Sequence, residues 1–285
     1  MTPATLDRAA LADFPLPPVH DGDKDSKGRI FVLAGSRQVP GAALLCATAA
    51  MRAGAGKLKI ATGASVAVAI AMAMPEAMVI GLTELRDGGL AKSAVRQVGN
   101  EAKGIDAIVA GPGMANGSTC REIAAELLKS PGHLVLDAAL LHALRPLDAP
   151  RASLPILLPH AGELASLLDG DEEDVDLDPL GCGLRAAKRY GAIVLVKGVT
   201  SHIVTPDGKA WAYAGGASGL GVSGSGDVLA GIVGGLLARG AEPLTALLWA
   251  VLLHGEAGES LTRKIGPAGF LAREIPDEIP SLLIP

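Results

Sequence analysis

The stretch that decides the fold is RIFVLAGSRQVPGAALLCATAAMRAGAGKLKIA, residues 29–61. An apolar run rich in branched residues comes first, a glycine turn and a helix-length Ala and Leu segment follow, and a second apolar run closes it. This order predicts a strand over Arg29–Ala34, a helix over Gly41–Ala53 and a strand over Lys57–Ala61. Strands joined through a helix run parallel, so the stretch predicts one unit of a parallel α/β sheet.

The same alternation continues along the chain. Further strands are predicted over Ile105–Ala110, His133–Leu136, Pro155–Leu158 and Ala192–Val196. Helices are predicted over Ser118–Lys129, Gly162–Leu168 and Pro179–Tyr190. We therefore expect an α/β fold, with a mostly parallel central sheet and helices covering both of its faces.

The pattern changes after Gly191. The turn Pro206-Asp207-Gly208 separates two short runs, Ser201–Thr205 and Lys209–Tyr213, which predicts a β-hairpin. A glycine-rich loop then leads into two helices, predicted over Asp227–Arg239 and Pro243–Ser260. We find no repeat or linker, and we expect an N-terminal extension over residues 1–27 and one domain over 28–285. The extension is expected to be an arm packed on the domain or partly disordered.

Composition excludes several classes of protein. The chain has 285 residues and a net charge of −5, with no run of Lys or Arg, so we expect no nucleic-acid partner. Its most apolar stretches, Ala64–Met74 and Leu244–Leu253, are shorter than the roughly 18–20 residues that cross a bilayer. Three scattered cysteines support neither a disulfide framework nor a zinc site. Because the first 20 residues do not resemble a signal peptide, we expect a cytoplasmic protein without membrane contact.

The segment GLGVSGSGD, residues 219–227, is the strongest candidate for chemistry. Its small residues let backbone N–H groups converge, and the helix that follows adds the positive end of its dipole. We therefore expect an anion hole formed by Ser223, Gly224, Ser225 and Gly226. Asp227 stands at the start of that helix, where its carboxylate either caps the helix or accepts a proton from a substrate hydroxyl.

Other polar residues and glycine turns follow predicted strands. Gly111-Pro112-Gly113, Asp137, His160 and Lys197-Gly198 all come at strand ends, where ligands of parallel sheets bind. His160 is also compatible with a purely structural role in a turn. The acidic run Asp171–Asp178 could bind a cation, although a solvated loop is the expectation that we favour. We find no dinucleotide-binding or P-loop fingerprint and no zinc-protease or nucleophile-elbow motif.

Read together, these segments resemble the ribokinase-like superfamily and, within it, the ADP- or ATP-dependent NAD(P)H-hydrate dehydratases, over about Lys27–Pro280. The matching stretches are Gly28–Gly35 with Pro40–Ala43, Arg52–Gly56, Pro75–Met78, Gly111–Gly113, Val135–Ala138, Pro159–Glu163, Lys197-Gly198 and Gly224–Gly231. The Gly-Ser-Gly-Asp signature is shared with small-molecule kinases, whereas the Pro-His-Ala-Gly-Glu turn points to the dehydratases. The resemblance implies a ribokinase-like three-layer α/β/α sandwich.

The resemblance also implies an activity. Such enzymes return the S-epimer of NADH or NADPH hydrate to NADH or NADPH, with ADP or ATP as cosubstrate and AMP or ADP and phosphate as coproducts. Asp227 is the implied catalytic base. The expected substrate-binding residues are Ala42, Ala43, Gly113, Asp137, His160 and Asp227. The expected nucleotide-binding residues are Lys197, Gly198, Val199, Thr200, Ser201 and Gly226.

Further expectations concern ions and partners. Mg²⁺ on the nucleotide phosphates is expected on electrostatic grounds, and its protein ligands stay unassigned. The epimerase domain that is fused to many bacterial relatives has no room in this length, so we expect a separate epimerase chain. By resemblance we also expect a homo-oligomer, a tetramer.

The sequence departs from the family pattern near the predicted site. Ala139 and His142 replace an Asp and an Asn, Val222-Ser223 replaces Thr-Gly, and Ala161 replaces a proline. Two alternatives therefore stay open at this point: a vitamin or sugar kinase of the same superfamily, and a nucleotide-binding protein without catalytic activity.

Overall fold

The computed structural model describes residues 2–18, 27–146 and 151–283. Part of the predicted N-terminal extension, residues 1 and 19–26, lies outside the described residues. Within the described part, ten strands form one sheet in the order β1-β10-β9-β8-β7-β6-β5-β2-β3-β4. Their bounds are β1 Ala4–Thr5, β2 Arg29–Leu33, β3 Lys57–Gly63, β4 Ala77–Leu82, β5 Ala107–Ala110, β6 His133–Leu136, β7 Ile156–Leu157, β8 Ile193–Val196, β9 Ser201–Val204 and β10 Ala210–Tyr213.

The predicted parallel sheet is confirmed. The strands from β4 through β8 pair in parallel, and β9 is antiparallel to both β8 and β10, as the predicted hairpin requires. Strand order reverses between β2 and β5, because β3 and β4 follow on one side and β6 to β8 on the other. Ligands of open α/β sheets bind at such a reversal, beyond the carboxyl ends of the strands.

Helices cover both faces of the sheet, which gives the expected three-layer sandwich. The bounds are α1 Gly41–Arg52, α2 Ala64–Ala73, α3 Ser93–Glu101, α4 Thr119–Leu127, α5 Ala161–Leu168, α6 Glu172–Leu177, α7 Pro179–Tyr190, α8 Ser225–Ala238, α9 Pro243–Lys264 and α10 Ile275–Leu282. Core residues of α1, α2, α8, α9 and α10 pack against one face of the sheet, and those of α3 to α7 pack against the other.

The structure differs from the sequence-based expectation in two respects. Helices α2, α3 and α10 and the edge strands β1 and β4 were not predicted as elements. The acidic run is helix α6 instead of a loop, because Glu172, Glu173 and Asp174 occupy its first turn and Val175 is buried. Acidic side chains in a first turn complement the positive end of the helix dipole and favour the helix.

Helices α1 and α8 approach each other through glycines. A side chain at Gly231 would place its Cβ 2.2 Å from the carbonyl oxygen of Cys46, and one at Gly235 would place it 2.3 Å from that of Ala50. Both distances are shorter than a van der Waals contact between a carbon and an oxygen atom. Only glycine therefore lets the two backbones meet here. This contact fixes the position of α8, whose first turn carries the predicted anion hole.

The N-terminal residues that the structure describes pack on the domain. Strand β1 pairs with β10, Leu6 and Leu11 are buried, and Trp249 donates a 2.7 Å hydrogen bond to the carbonyl of Phe14. Residues 2–18 thus form a packed arm. Across the described residues, we find no helix with both the length and the apolarity that a membrane span requires.

Candidate active site at the carboxyl edge of the sheet

Glycine turns at the strand reversal bring the site loops together. Gly35 follows β2 and donates to the carbonyl of Pro112 at 2.8 Å, and Gly111 follows β5 and donates to that of Leu33 at 3.0 Å. Gly111 has a φ of +120°, and a Cβ there would lie 1.8 Å from the carbonyl oxygen of Asp137. The turn after β5 can therefore lie directly against the end of β6 only as glycine.

The predicted hydrate-binding residues Ala42, Ala43 and Gly113 meet at this reversal. A Cβ at Gly113 would lie 2.4 Å from the Cβ of Ala42, and one at Gly35 would lie 3.2 Å from the Cβ of Ala43. Both alanine side chains are buried. The first turn of α1 and the turn after β5 thus form one continuous wall, to which the alanines contribute small size instead of polar groups.

The N-terminus of α8 is an open terminus, in the sense that no side chain caps it. Its N-cap is Gly224, with a φ of +91° and no side-chain cap. The amide of Ser225 donates to the carbonyl of Val222 at 3.2 Å, so this member of the predicted anion hole is already used. For the amides of Ser223, Gly224, Gly226 and Asp227, no hydrogen bond to a described residue is found. Unpaired amides at a helix N-terminus form an anion site.

Asp227 lies in the third position of α8 and does not cap it. Its carboxylate makes no hydrogen bond or ion pair with any residue of the part that the structure describes, so the capping interpretation is not observed. Burial, and next the charge of Asp137, raise the pKa of Asp227 to about 6, while Lys197 opposes the shift. A partly buried, unpaired carboxylate with this pKa has the properties of a general base.

A buried ion-pair network lies beside Asp227. The Nζ of Lys197 donates to Oδ1 of Asp137 at 2.9 Å and lies 3.8 Å from Oε2 of Glu163. Burial alone would lower the pKa of Lys197, but the carboxylates of Asp137, Glu163 and Asp227 outweigh it and the pKa is raised. The ammonium therefore stays charged at neutral pH. It also points at the anion hole, because a Cβ at Gly226 would lie 3.7 Å from Nζ.

His160 caps helix α5. Its Nδ1 accepts hydrogen bonds from the amides of Gly162 and Glu163 at 3.1 and 3.4 Å, and Glu163 in turn accepts from the amide of His160 at 2.9 Å. This reciprocal pair is a capping box, with histidine in the place of the usual serine or threonine. Because Nδ1 accepts, the ring proton is on Nε2, 3.4 Å from Oε1 of Glu163. More than half of the His160 side chain is exposed and can still contact a ligand.

The predicted nucleotide strip, residues 197–201, forms the turn between β8 and β9. Lys197 points inward to Asp137, whereas Val199 is fully exposed, and the hydroxyl of Ser201 donates to the carbonyl of Gly198 at 3.5 Å. Within this turn, Gly198, Val199 and Thr200 face outward enough to contact a nucleotide base or sugar. Lys197 lies deeper than these three residues, in the ion-pair network with Asp137 and Glu163.

The departures from the family pattern lie at different depths. Ala139 is buried two residues after Asp137, and Val222 packs partly against the core. Ser223 is exposed, and Nδ1 of His142 lies 3.2 Å from the hydroxyl of Ser166 on α5. None of these contacts involves Asp227. The sequence-based site omitted Glu163, although its position three residues after His160 is the spacing of a capping box.

The fold and the site define a class of protein. A mostly parallel α/β/α sandwich, with a glycine-framed anion site and an unpaired aspartate at one helix N-terminus, is a ribokinase-like protein. A family model described as NAD(P)H-hydrate dehydratase matches residues 30–281. The chain therefore belongs to the NAD(P)H-hydrate dehydratase family.

Individual relatives agree with this assignment. The chain is 46% identical over 281 residues to an ADP-dependent (S)-NAD(P)H-hydrate dehydratase of Xanthomonas campestris, covering 98% of this chain and 96% of that protein. It is 33% identical over 267 residues to a bifunctional NAD(P)H-hydrate repair enzyme of Moorella thermoacetica, covering 92% of this chain and half of that protein. The crystal structure of the ADP/ATP-dependent dehydratase of Bacillus subtilis, co-crystallised with ATP and Mg²⁺, superimposes with a TM-score of 0.85 at 29% identity, covering 99% and 98% of the two chains.

Proposed function

We propose that this chain repairs hydrated nicotinamide cofactors, by dehydrating the S-epimer of NADH or NADPH hydrate at the expense of ADP or ATP. The observation that carries the proposal is the position of Asp227. Its carboxylate has no partner among the described residues, has a pKa raised to about 6, and lies in the turn whose free amides form an anion site. A base and an anion site that adjoin are what transfer of a phosphoryl group to a hydroxyl requires.

The proposed reaction begins at the C6 hydroxyl of the hydrate. Asp227 removes its proton, and the oxygen attacks the terminal phosphorus of the nucleotide, so that AMP leaves when ADP is the cosubstrate. The amides of Gly226 and Asp227 and the ammonium of Lys197 hold the charge on the transferred phosphoryl group. This step replaces hydroxide, a poor leaving group, with phosphate.

Elimination completes the reaction. The lone pair of the ring nitrogen expels phosphate from C6, and loss of the C5 proton to the departing phosphate restores the ring double bond. Inorganic phosphate and the dihydronicotinamide are the products. Lys197 supports this step because its positive charge, held by Asp137 and Glu163, stabilises the leaving dianion.

The two ligands approach from opposite sides of Asp227 in this proposal. Ala42, Ala43, Gly113, Asp137 and His160 form the hydrate side. Gly198, Val199, Thr200 and Ser201 form the nucleotide side, and Gly226 and Lys197 meet the phosphates between them. Ala42 and Ala43 are buried against the glycine turns after β2 and β5, so on this side we expect the hydrate to contact the backbone of these segments.

Mg²⁺ is proposed to arrive with the nucleotide. The described residues contain no group of three or more Cys, His, Asp and Glu side chains placed to hold a metal ion, and Asp137 and Glu163 are engaged by Lys197. These residues do not fit a dedicated protein site for the ion. We therefore assign no step of the reaction and no protein ligand to Mg²⁺.

The kinase and the non-catalytic alternatives are not favoured. A kinase would use the same base and anion site on a stable alcohol, but the family match concerns dehydratases over 252 residues, from 30 to 281. A protein that had lost its activity would lack the proposed base or the ion pair beside it, and Asp227, Lys197 and Asp137 are all present.

We further propose a separate epimerase partner, a homotetramer and a cytoplasmic location. The bifunctional repair enzyme of Moorella thermoacetica, of which this chain matches half, supports a functional link to an epimerase. Exposed apolar side chains support assembly: Val68 and Met72 on α2 are 76% and 80% exposed, and Met78 on the edge strand β4 is 61% exposed. Light scattering on a sizing column measures the assembly state, and a monomer at micromolar concentration would contradict the tetramer.

The test of the proposed reaction is a direct assay. Purified protein is mixed with the S-epimer of NADH hydrate, Mg²⁺ and either ADP or ATP, and the near-ultraviolet absorbance of the dihydronicotinamide ring is followed. We expect a rise that depends on the nucleotide and is absent with Asp227→Asn. A flat trace with intact nucleotide binding would overturn the proposal, and a stable phosphorylated product would instead identify a kinase.

A further inference from the structure

His254 on helix α9 contacts the first turn of α8, behind the anion site. Its Nε2 lies 3.0 Å from the hydroxyl oxygen of Ser225 and 3.1 Å from the carbonyl oxygen of the same residue. Ser225 is buried, and its hydroxyl makes no hydrogen bond with any other described residue. One imidazole nitrogen therefore holds both the side chain and the main chain of the residue between Gly224 and Gly226.

The direction of these hydrogen bonds follows from a count of protons. A carbonyl oxygen only accepts, so the contact with the Ser225 carbonyl places a proton on Nε2. That N–H is shared with the hydroxyl oxygen of Ser225, which therefore also accepts. Since Nε2 then has no lone pair, Ser225 cannot donate its own proton to His254. The Ser225 O–H is left as a free donor at the N-terminus of α8.

The surroundings keep the ring neutral. Desolvation lowers the pKa of His254 to about 4, against the hydrogen bond to the Ser225 carbonyl, and the nearby charge of Lys197 adds to the lowering. At neutral pH the ring therefore has one N–H, on Nε2, and this N–H does not disappear in the range where Asp227 titrates. The arrangement is a fixed donor and not a pH switch.

We propose that His254 is a positioning residue for the phosphoryl group, which anchors the first turn of α8 and turns the Ser225 hydroxyl proton toward the anion site. The inference rests on the proposed function, because it adds a donor to the phosphoryl group transferred there. Two consequences follow. The site gains an O–H donor in place of the Ser225 amide, which already donates to the carbonyl of Val222. The free amides of Gly226 and Asp227 also stay in a fixed geometry.

The first experiment replaces the donor without changing the shape of the ring more than necessary. His254→Gln keeps an N–H at the same distance along the side chain, whereas His254→Leu removes it at similar volume. Isothermal titration calorimetry measures the Kd of ADP and of AMP, both with Mg²⁺. AMP lacks the phosphate that occupies the anion site, so it is the matched ligand control.

We expect His254→Leu to raise the Kd of ADP about tenfold and to leave that of AMP within about twofold, because one hydrogen-bonded turn is loosened. His254→Gln is expected to bind ADP within about threefold of the parent protein. Equal losses for ADP and AMP, or equal losses in the Gln and Leu variants, would overturn the positioning role. Unchanged ADP binding in His254→Leu would overturn it as well.

A second variant keeps the test decisive if His254→Leu does not fold. Ser225→Ala removes one oxygen atom and leaves His254 and the main chain, and we expect a weaker affinity for ADP with unchanged AMP binding. We also expect kcat in the hydrate assay to fall about tenfold, with the KM for the hydrate unchanged. Parental ADP affinity and kcat in Ser225→Ala would overturn the hydroxyl donor.

The two proposals fail in different ways. If the parent protein shows no dehydratase activity, the proposed function fails, whereas the contrast between ADP and AMP in the variants still tests His254. If the parent protein is active and the variants behave as it does, only the role of His254 fails.

Discussion

Two helix N-termini face the same edge of the sheet and differ in how their amides are used. Helix α5 is closed by the reciprocal capping box of His160 and Glu163. Helix α8 begins at a glycine without a side-chain cap, and among the described residues its carboxylate Asp227 contacts no donor. A closed terminus stabilises the fold, whereas an open terminus leaves amides and charge for a ligand. Within one site, the first terminus stabilises the fold and the second leaves its amides and its carboxylate for a ligand.

The largest effect is expected from Asp227→Asn, which removes the negative charge at the N-terminus of α8. We expect turnover to fall by about 10²–10⁴-fold, because the general base is lost while the volume is kept. Binding of ADP should be retained, since the amides of α8 are untouched. The hydrate assay gives kcat, and calorimetry gives the Kd of ADP. Turnover within tenfold of the parent protein would contradict the role of Asp227 as base.

The same variant also tests stability. Because burial raises the pKa of Asp227 above its value in the unfolded chain, ionisation destabilises the folded state as pH rises from about 4 to about 6. Above pH 6 the full penalty is present, and Asp227→Asn should then stabilise the protein by about 2 kcal/mol. At pH 4 the difference should vanish. Urea unfolding at both pH values checks this, and a loss of stability at pH 7 would show that the ionised Asp227 stabilises the fold.

Two glycine substitutions test the N-terminus of α8 against backbone strain elsewhere. Gly224→Ala puts a Cβ at a φ of +91° and 2.4 Å from Cδ1 of Leu45, whereas Gly240→Ala puts one at a φ of +96° in open space. Both should lower stability by about 1 kcal/mol through backbone strain. Gly224→Ala alone should weaken ADP binding, by about tenfold, because the open terminus shifts. If both variants bound ADP equally well, the amides of α8 would not be the anion site.

The neighbouring carboxylate gives a pH test. Asp137 raises the pKa of Asp227, so Asp137→Asn should lower it and move the acid limb of kcat/KM from near pH 6 to lower pH. In the parent protein, activity should fall with a slope of one below this limb, as Asp227 becomes protonated. The pH profiles of the two proteins check the shift. If the acid limb moved to higher pH instead, the shift would contradict this prediction. It would show that Lys197, no longer held by Asp137, has stopped lowering the pKa of Asp227.

The smallest expected effects concern the closed terminus. Asn is a good N-cap, so His160→Asn should keep the stability of α5, whereas His160→Ala should lose about 1 kcal/mol. Both variants lack the imidazole and should raise the KM for the hydrate by a few-fold, with the KM for ADP unchanged. Thermal unfolding and steady-state kinetics measure the two effects. If both variants kept the parental KM for the hydrate, His160 would act only as the N-cap of α5.

Much of the fold was predictable because it repeats a simple pattern. The strands ending at Leu33, Ala110, Leu136 and Val196 are short runs of branched residues between glycine turns, and the structure confirms them. Helix α2 was missed because its exposed side is as apolar as its buried side, so the sequence ASVAVAIAMA shows no helical period. Strand β4 was missed because it lies at an edge of the sheet and is only partly buried.

The site was predictable in its residues and less so in its contacts. The position of Asp227 followed from the glycine signature, but its lack of partners depends on packing across three elements. The inward turn of Lys197 could not be predicted, because it depends on the register of β8 beside β7, where the Lys197 amide donates to the carbonyl of Pro159 at 2.9 Å. The contact between Ser225 and His254 joins residues 29 positions apart, which no local pattern reports. The division into an extension and one domain stays a prediction.

The glycine contact between α1 and α8 has a mechanical consequence. Backbone lies against backbone at Gly231 and Gly235, so we expect the two helices to shift together and not to slide past each other. Ala42 and Ala43 lie in the first turn of α1 and Asp227 lies in the first turn of α8, so we expect the spacing between these residues to be the same with and without ligands. We then expect entry and release of the two proposed ligands to depend on movement of the surface turns around these helices.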